Sequence, residues 1–248
     1  MKILQAGNLV NLGYVVAREL RNAGIESDLL MEENPQKTSD PKVFDLNLDG
    51  KYPNWIKFYY RNRAGWKRKI IKIMRDSKYE LIHSYTELVM FSYLSRRIYV
   101  ANPTGSDLRE LAFSKTIRGM VLRRAYNKAK VVLAASPEVL ELLSKLKIRN
   151  GVFLPVLMDT SLFSSNHAEK KSDRFIIFHP SNLDWKNKGN DKIVKGFSKF
   201  IKNYPNSLLR IIDRGIDSQS FQNLCTYCCS TKSCYKYGNR FIFYHSFF

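Results

Sequence analysis

An apolar run, a glycine-bearing loop, an amphipathic helix and a second extended segment open the chain, and nothing else in the sequence restricts its folding as much. Met1–Ala6 is apolar and stops at Gly7. Leu12, Val15, Val16, Leu20 and Ala23 then recur at helical spacing, and Gly24 stands where a C-cap residue belongs. Ile25–Met31 is the next extended segment. Strands joined through a helix run parallel, because parallel pairing needs a crossover of that length. After an irregular polar stretch, Glu32–Pro53, short strands are expected at Leu81–Ile82, Ile98–Ala101, Val131–Ala135 and Gly151–Leu154. The rhythm predicts an α/β domain over residues 1–155, doubly wound around a parallel sheet.

Residues 156–173 are polar and serine-rich and predict a linker. The pattern then restarts over residues 174–224 with a strand at Phe175–His179, a helix at Asp191–Asn203 and a strand at Leu208–Ile212. This is the same architecture in incomplete form. Residues 225–248 differ in kind: eight aromatics and four cysteines, with no Leu, Val, Ala, Asp or Glu. No helix or sheet period fits them, and they read as the mark of a chain shortened or frame-shifted near residue 225. Cys225, Cys228, Cys229 and Cys234 are crowded together, whereas structural zinc draws on two ligand pairs separated by a longer loop, so no metal is expected. A body without cysteine fits a reducing compartment. No apolar run approaches the ~18–20 residues of a membrane span, so a cytoplasmic location is expected.

The charge is lopsided. Lys and Arg number 41 against 22 Asp and Glu, a formal net charge of +19, which points to an anionic partner: nucleic acid, a phosphorylated small molecule or an acidic membrane surface. Lys57–Arg75 holds eight basic residues, no acidic one, and interleaved apolar residues. As a helix it would lie on an anionic bilayer with its apolar face down, and Lys57, Arg61, Trp66, Lys67, Arg68, Lys69 and Lys72 are the candidate membrane contacts. The alternative is a surface helix packed on its own sheet. Arg109–Lys130 adds seven basic residues against Glu110. Basic grooves with aromatics also serve nucleic acid, but no nucleic-acid motif is present and no specific nucleic-acid partner is expected.

Four loops carry candidate chemistry. Gly7–Gly13 lies between first strand and first helix, where backbone N–H groups meet anions, although its spacing is not that of a dinucleotide fingerprint. His83 stands at the end of an apolar strand, facing the cleft of an open sheet or else hydrogen-bonded within the structure. In TGSDL (104–108), Asp107 either caps a helix or binds a sugar hydroxyl and assists proton transfer. In WKNKG (185–189), two lysines and a glycine precede a helix and make an anion cradle or a solvated basic loop.

In order and spacing these segments resemble glycosyltransferase family 4, nucleotide-sugar-dependent enzymes of the two-domain GT-B fold. YELIHSYTE resembles the family's "D-x-I-H-x-H" strand end, TGSDLRE its "H-G-S-D" turn, FLPVLMDTSLF its "P-N-x-V-D-x-x-x-F" segment, and NLDWKNKGNDKIVKGF its "R-x-x-x-x-K-G" region. The resemblance covers about residues 1–213. It implies a Rossmann-like acceptor-side domain and an incomplete second Rossmann-like domain that binds the nucleotide sugar. It also implies hexosyl transfer with retention, to a glycan or lipid-linked acceptor in cell-envelope synthesis, on the inner face of the membrane. The nucleotide sugar is a substrate, so no cofactor is implied. Carried over, Asp107 and His83 are the catalytic candidates, and Gly7, Gly13, Asn182, Lys186, Lys188 and Gly189 hold the donor. Lys188 would neutralise the departing diphosphate. Thr104 replaces the family's histidine, Asn182 its arginine, and no "E-x7-E" segment is present. The competing reading is a non-catalytic basic module that binds membrane or nucleic acid.

Overall fold

The computed structural model describes residues 1–156, 175–180, 188–212, 234–237 and 240–243. The chain divides into two compact units, Met1–Ser164 and Ser165–Phe248.

The first unit is built on a seven-stranded parallel sheet of order β3-β2-β1-β4-β5-β6-β7. Its strands are β1 (Lys2–Ala6), β2 (Glu26–Glu32), β3 (Ile56–Tyr59), β4 (Leu81–Tyr85), β5 (Tyr99–Asn102), β6 (Val132–Ala134) and β7 (Gly151–Phe153). The helices are α1 (Leu12–Asn22), a single turn α2 (Pro41–Phe44), α3 (Trp66–Arg75), α4 (Leu88–Ser95), α5 (Ile117–Lys128) and α6 (Pro137–Lys145). β1 is flanked by β2 and β4, with Leu4 opposite Asp28 on one side and Ile82 on the other. The strand order reverses between β1 and β4, as in doubly wound sheets.

Alternation along β2 shows why both faces are covered. Leu29 and Met31 pack with Tyr14, Val15 and Ala17 of α1. Leu30, between them, points to the other face and joins Leu4, Ala6, Ile82, Ile70, Met74 and Leu122. A strand buried on both faces reads as an apolar run, and Leu29–Met31 supplies one after the polar Glu26, Ser27 and Asp28.

Two basic segments divide differently from the sequence expectation. In Lys57–Arg75, Ile56–Tyr59 is strand β3, and the helix starts only at Trp66, after Gly65 at φ +74°. Lys57 therefore lies in the sheet, where its ammonium pairs with the buried Asp28 at 3.7 Å. In α3, Ile70 and Met74 are fully buried in the domain core, with Trp66 and Ile73 packed against it. The apolar side of α3 is thus taken by its own sheet and is not free to enter a bilayer. Arg68, Lys69 and Lys72 remain exposed, as does Lys67, whose ammonium lies 5.7 Å from the Trp66 ring. Arg109–Lys130, likewise, is not one helix: a π-helical turn over Asp107–Leu111 and α5 are separated by an irregular connection.

In the second unit, β8 (Phe175–His179) and β9 (Ser207–Ile212) are parallel and joined through α7 (Asn190–Asn203). Phe197 and Ile201 of α7 pack on Leu209 and Ile211. The tail, to which no period could be assigned, contributes two strands, β10 (Cys234–Tyr237) and β11 (Arg240–Phe243). They pair antiparallel, and β11 extends the sheet antiparallel to β9, giving the order β10-β11-β9-β8. Cys225, Cys228, Cys229 and most of the linker 156–173 lie outside the described residues.

The β1–α1 crossing tolerates no side chain at Gly13, because a carbon added there would overlap the backbone carbonyl oxygen of Gly7. Gly24, at φ +78° with nothing nearby, is constrained only by its backbone conformation. Gly13→Ala is expected to lower stability by at least ~3 kcal/mol, since backbone cannot yield as a side chain does. Gly24→Ala is expected to cost only about 1 kcal/mol. Urea melts of the two variants check this, and equal losses would refute the close-approach argument.

Candidate active site

The carboxyl ends of β1 and β4 are adjacent, and from them the chain departs in opposite directions along the sheet, which opens a crevice. A cavity of about 380 Å³ lies there, walled by residues that follow β1 to β5. Gly7 turns the chain at its floor, at φ +112°, and a side chain there would press on Tyr85 and Leu88.

The loop after Gly7 is held by its asparagines. Asn8 Oδ1 accepts from the N–H of Tyr14 at 2.8 Å and so caps α1, while Asn8 Nδ2 donates to the carbonyl of Ser39 at 2.8 Å. Val10 N–H donates to Ser39 Oγ at 2.9 Å. Val10 and Thr86 are β-branched residues at φ +51°. That conformation is costly for such residues and concentrates at functional sites. Thr86 lines the cavity and Val10 follows two residues that do.

One wall is aromatic. The ring of Trp66 stacks on Tyr59 at 6.2 Å between centroids and meets Phe91 edge-on at 5.7 Å. The guanidinium of Arg61 lies 5.8 Å from the Trp66 ring and pairs with Glu32 at 3.2 Å. Glu87, from the loop after β4, pairs with Arg118. Thr104 adds a hydroxyl that is buried and has no partner among the described residues. An aromatic platform beside carboxylates and hydroxyls matches a sugar ring, which has apolar C–H faces and a rim of hydroxyls.

Asp107 is placed at this cavity, yet its carboxylate is already engaged. Oδ1 accepts from the N–H groups of Thr104 and Gly105, at 3.3 and 2.7 Å, and Oδ2 accepts from Tyr126 Oη at 2.6 Å. Burial, and then the charge of Asp107, push the Tyr126 phenol well above its ordinary value, so it stays a donor. The residue is only 5% exposed. It shapes the Thr104–Ser106 turn.

His83 lies inside β4 and is not among the residues lining the cavity. Tyr85 Oη donates to Gln5 Oε1 at 2.9 Å, so the 3.1 Å contact between His83 Nδ1 and Tyr85 Oη is donated by the imidazole. Burial lowers its pKa to about 4. Gly13 supports the loop from behind, and Arg61 and Trp66, candidates for membrane contact, instead belong to the cavity wall.

In the second unit, Lys188 is exposed beside Gly189, which at φ +63° precedes α7 without a side-chain cap. Asn190 Nδ2 and His179 Nε2, at the end of β8, are 3.1 Å apart. Asn182 and Lys186 lie outside the described residues. Among the described residues, no three His, Cys, Asp or Glu side chains come together as a metal site.

Strand order and a crevice at the reversal point define a Rossmann-like α/β protein of the GT-B fold class. The model of Glycosyltransferase Family 4 matches residues 13–153, more than half of the chain, and the chain belongs to that family. The solved structures that it resembles show the fold. The N-terminal domain of trehalose-6-phosphate phosphatase from Candida albicans aligns with a TM-score of 0.61 at 13% identity, over 92% of this chain and 68% of the other. A UDP-GlcNAc 2-epimerase from Methanocaldococcus jannaschii aligns with 0.56 at 13% identity, over 94% and 71%. A glycosyltransferase from Rickettsia africae aligns with 0.51 at 14% identity, over 87% and 69%. No curated protein sequence matches.

Because His83 refuses a proton that the unfolded chain accepts, the stability it contributes is complete above pH 6.5 and declines as pH falls towards about 4. The expected slope is up to about 1.4 kcal/mol per pH unit. Urea melts across this window should show a shallower acid loss in His83→Gln. An unchanged slope would place the ring in contact with water.

Proposed function

We propose that the protein transfers a hexosyl unit from a nucleotide-sugar donor to a hydroxyl of a glycan or lipid-linked acceptor, with retention of configuration. The bond from the anomeric carbon to the diphosphate breaks, the acceptor oxygen bonds to that carbon, and the products are the glycoside, a nucleoside diphosphate and a proton. The observation that carries this reading is the cavity at the strand-order reversal, with a Trp66 platform beside Glu32, Glu87 and Thr104, in a chain of glycosyltransferase family 4.

In this reading the acceptor sugar stacks on Trp66, and the carboxylates of Glu32 and Glu87 accept hydrogen bonds from its hydroxyls. Thr104 Oγ1 gains the partner it otherwise lacks. Asp107 and His83 act as positioning residues, the first through the Thr104–Ser106 turn and the second by fixing Tyr85 beneath Gly7. Lys188, with the uncapped start of α7 at Gly189, takes the donor diphosphate, where cationic charge matters most as the leaving group departs. By the family resemblance Asn182 and Lys186 share that duty and Gly7 permits close backbone approach, while Gly13, packed against the Gly7 carbonyl, acts by supporting that turn.

The site of action in this reading is the cytoplasmic face of a membrane, with peripheral attachment. No helix among the described residues is long and apolar enough to cross a bilayer.

Calorimetric titration and transfer assays with nucleotide sugars test the reading. Lys188→Ala should weaken nucleoside-diphosphate binding by about tenfold or more, as expected for a lost charge-assisted contact. Trp66→Ala should raise the KM for acceptor and leave nucleotide affinity unchanged. Absence of any nucleoside-diphosphate binding by the wild type would overturn the proposal.

A further inference from the structure

The helices α3, α4 and α5 lie side by side on one face of the sheet, α4 in contact with both of the others. None of the three contains an acidic residue. α3 carries Lys67, Arg68, Lys69, Lys72 and Arg75, and α5 carries Arg118, Arg123, Arg124 and Lys128. Arg123 is used internally and Arg118 is paired with Glu87, but the remaining cations of α3 and α5 are exposed.

At one end of this layer stands a small apolar tip. Ile117 is 77% exposed, Met120, one turn along the same side of α5, 50%, and Phe113, in the loop before the helix, 41%. The loop is firmly built. Arg123 donates to the carbonyls of Ala112 and Ser114 at 2.6 and 2.8 Å, and Thr116 Oγ1 caps the helix by accepting from Gly119 N–H at 3.1 Å. A side chain at Gly119 would come within 2.5 Å of the carbonyl of Leu111, so the loop packs directly on the helix backbone. An anchored turn that points large aliphatic side chains outward among cations marks an interaction surface.

We propose that this three-helix layer docks on an anionic lipid bilayer, with Ile117, Met120 and Phe113 entering the headgroup boundary and the α3 and α5 cations on lipid phosphates. The inference rests on the peripheral-membrane part of the reading above and not on its chemistry. The apolar side of α3 is buried in the core, so it supplies charge alone, and the inserted groups come from α5 and the loop before it. An apolar tip next to exposed cations, Lys115 ahead of α5 and Arg124 on it, suits a bilayer. A nucleic-acid groove calls for several exposed aromatics on which bases stack; of the three tip residues only Phe113 is aromatic, and Tyr59 and Trp66 are committed to the cavity wall.

Sedimentation of the full chain with phosphatidylcholine vesicles, with and without about 30% phosphatidylglycerol, tests this docking. The wild type is expected to sediment with the anionic vesicles only. The double variant Ile117→Ser/Met120→Ser should bind about tenfold more weakly or worse, with an unchanged melting temperature because both side chains are exposed. Lys67→Gln/Arg68→Gln/Lys72→Gln should also weaken binding and flatten its dependence on salt. Three results would each overturn the proposal: no binding of the wild type to anionic vesicles, full binding by the Ile117/Met120 variant, or tighter binding to an RNA or DNA oligonucleotide at the same salt. Nucleoside-diphosphate titrations on the same proteins separate a failure here from a failure of the sugar-transfer reading.

Discussion

Where α1 leaves the sheet, two backbones meet without a side chain between them, and the residues around the cavity take their positions from that contact. Gly7 donates its N–H to the carbonyl of Leu30 at 2.9 Å, which fixes the end of β1 to β2, and then turns at a positive φ. Gly13 lets α1 come down onto that turn. Only in this position do Tyr14, Val15 and Ala17 reach Leu29 and Met31 to close one face of the sheet. The turn containing Ser39, part of the cavity wall, is then held through Asn8 and Val10, and Asn11 Nδ2 adds a bond to the carbonyl of Thr38 at 3.3 Å. A larger residue at Gly13 would shift the helix, the core on that face and the loop together.

This contact is local in sequence, and local features are what the sequence makes legible. The strand, glycine and helix of residues 1–31 are readable because each apolar residue has its partner within one βαβ unit. Strand β3 was hidden for a physical reason. Its alternating Ile56–Tyr59 runs into the apolar spacing of Ile70 and Met74, with cations spread over both, so two short periods look like one amphipathic segment. The cavity was legible only at Gly7, Thr104 and Asp107, which stand next to strand ends. Glu32, Glu87 and Trp66 come together from three separate connections, and no spacing rule links residues 32, 66 and 87. The one available signal was the charged residue that ends an apolar stretch, as at Glu32, the last residue of β2, which points at the carboxyl edge of any open sheet. Asp107 shows the reverse case. Its motif suggested chemistry, but three donors from its own turn and from Tyr126 had already taken its oxygens.

The charge excess separates into two populations once it is placed in space. At the cavity, cations are matched: Arg61 faces Glu32 and Arg118 faces Glu87, so the pocket offers carboxylate oxygens and guanidinium groups in balance. On α3 there is no such matching. Lys67, Arg68 and Lys69 crowd the first turn, the positive end of the helix dipole, where cations cost a few tenths to about 1 kcal/mol each. Burial of Ile70 and Met74, at about 1.5–3 kcal/mol apiece, outweighs that cost and keeps the helix in place. An arrangement that spends stability on unmatched surface charge, while matching charge carefully a few residues away, assigns the two regions different partners.

The same construction recurs at the α5 tip. At Gly13 and at Gly119 a missing side chain lets a loop lie against helix backbone, and polar side chains fix the connections: Asn8 and Asn11 tie the first loop to the carbonyls of Ser39 and Thr38, and Arg123 holds the carbonyls of Ala112 and Ser114 at the tip. Ordering of these loops is therefore completed when the domain folds. A partner meeting either surface finds side chains already fixed, and the entropic cost of arranging them is not charged against binding. In the proposed sugar-transfer reading, this is the order that a rigid sugar ring laid against Trp66 would use. For the tip it means that a few apolar side chains suffice, because their exposure is built into the fold and does not wait for the partner to induce it.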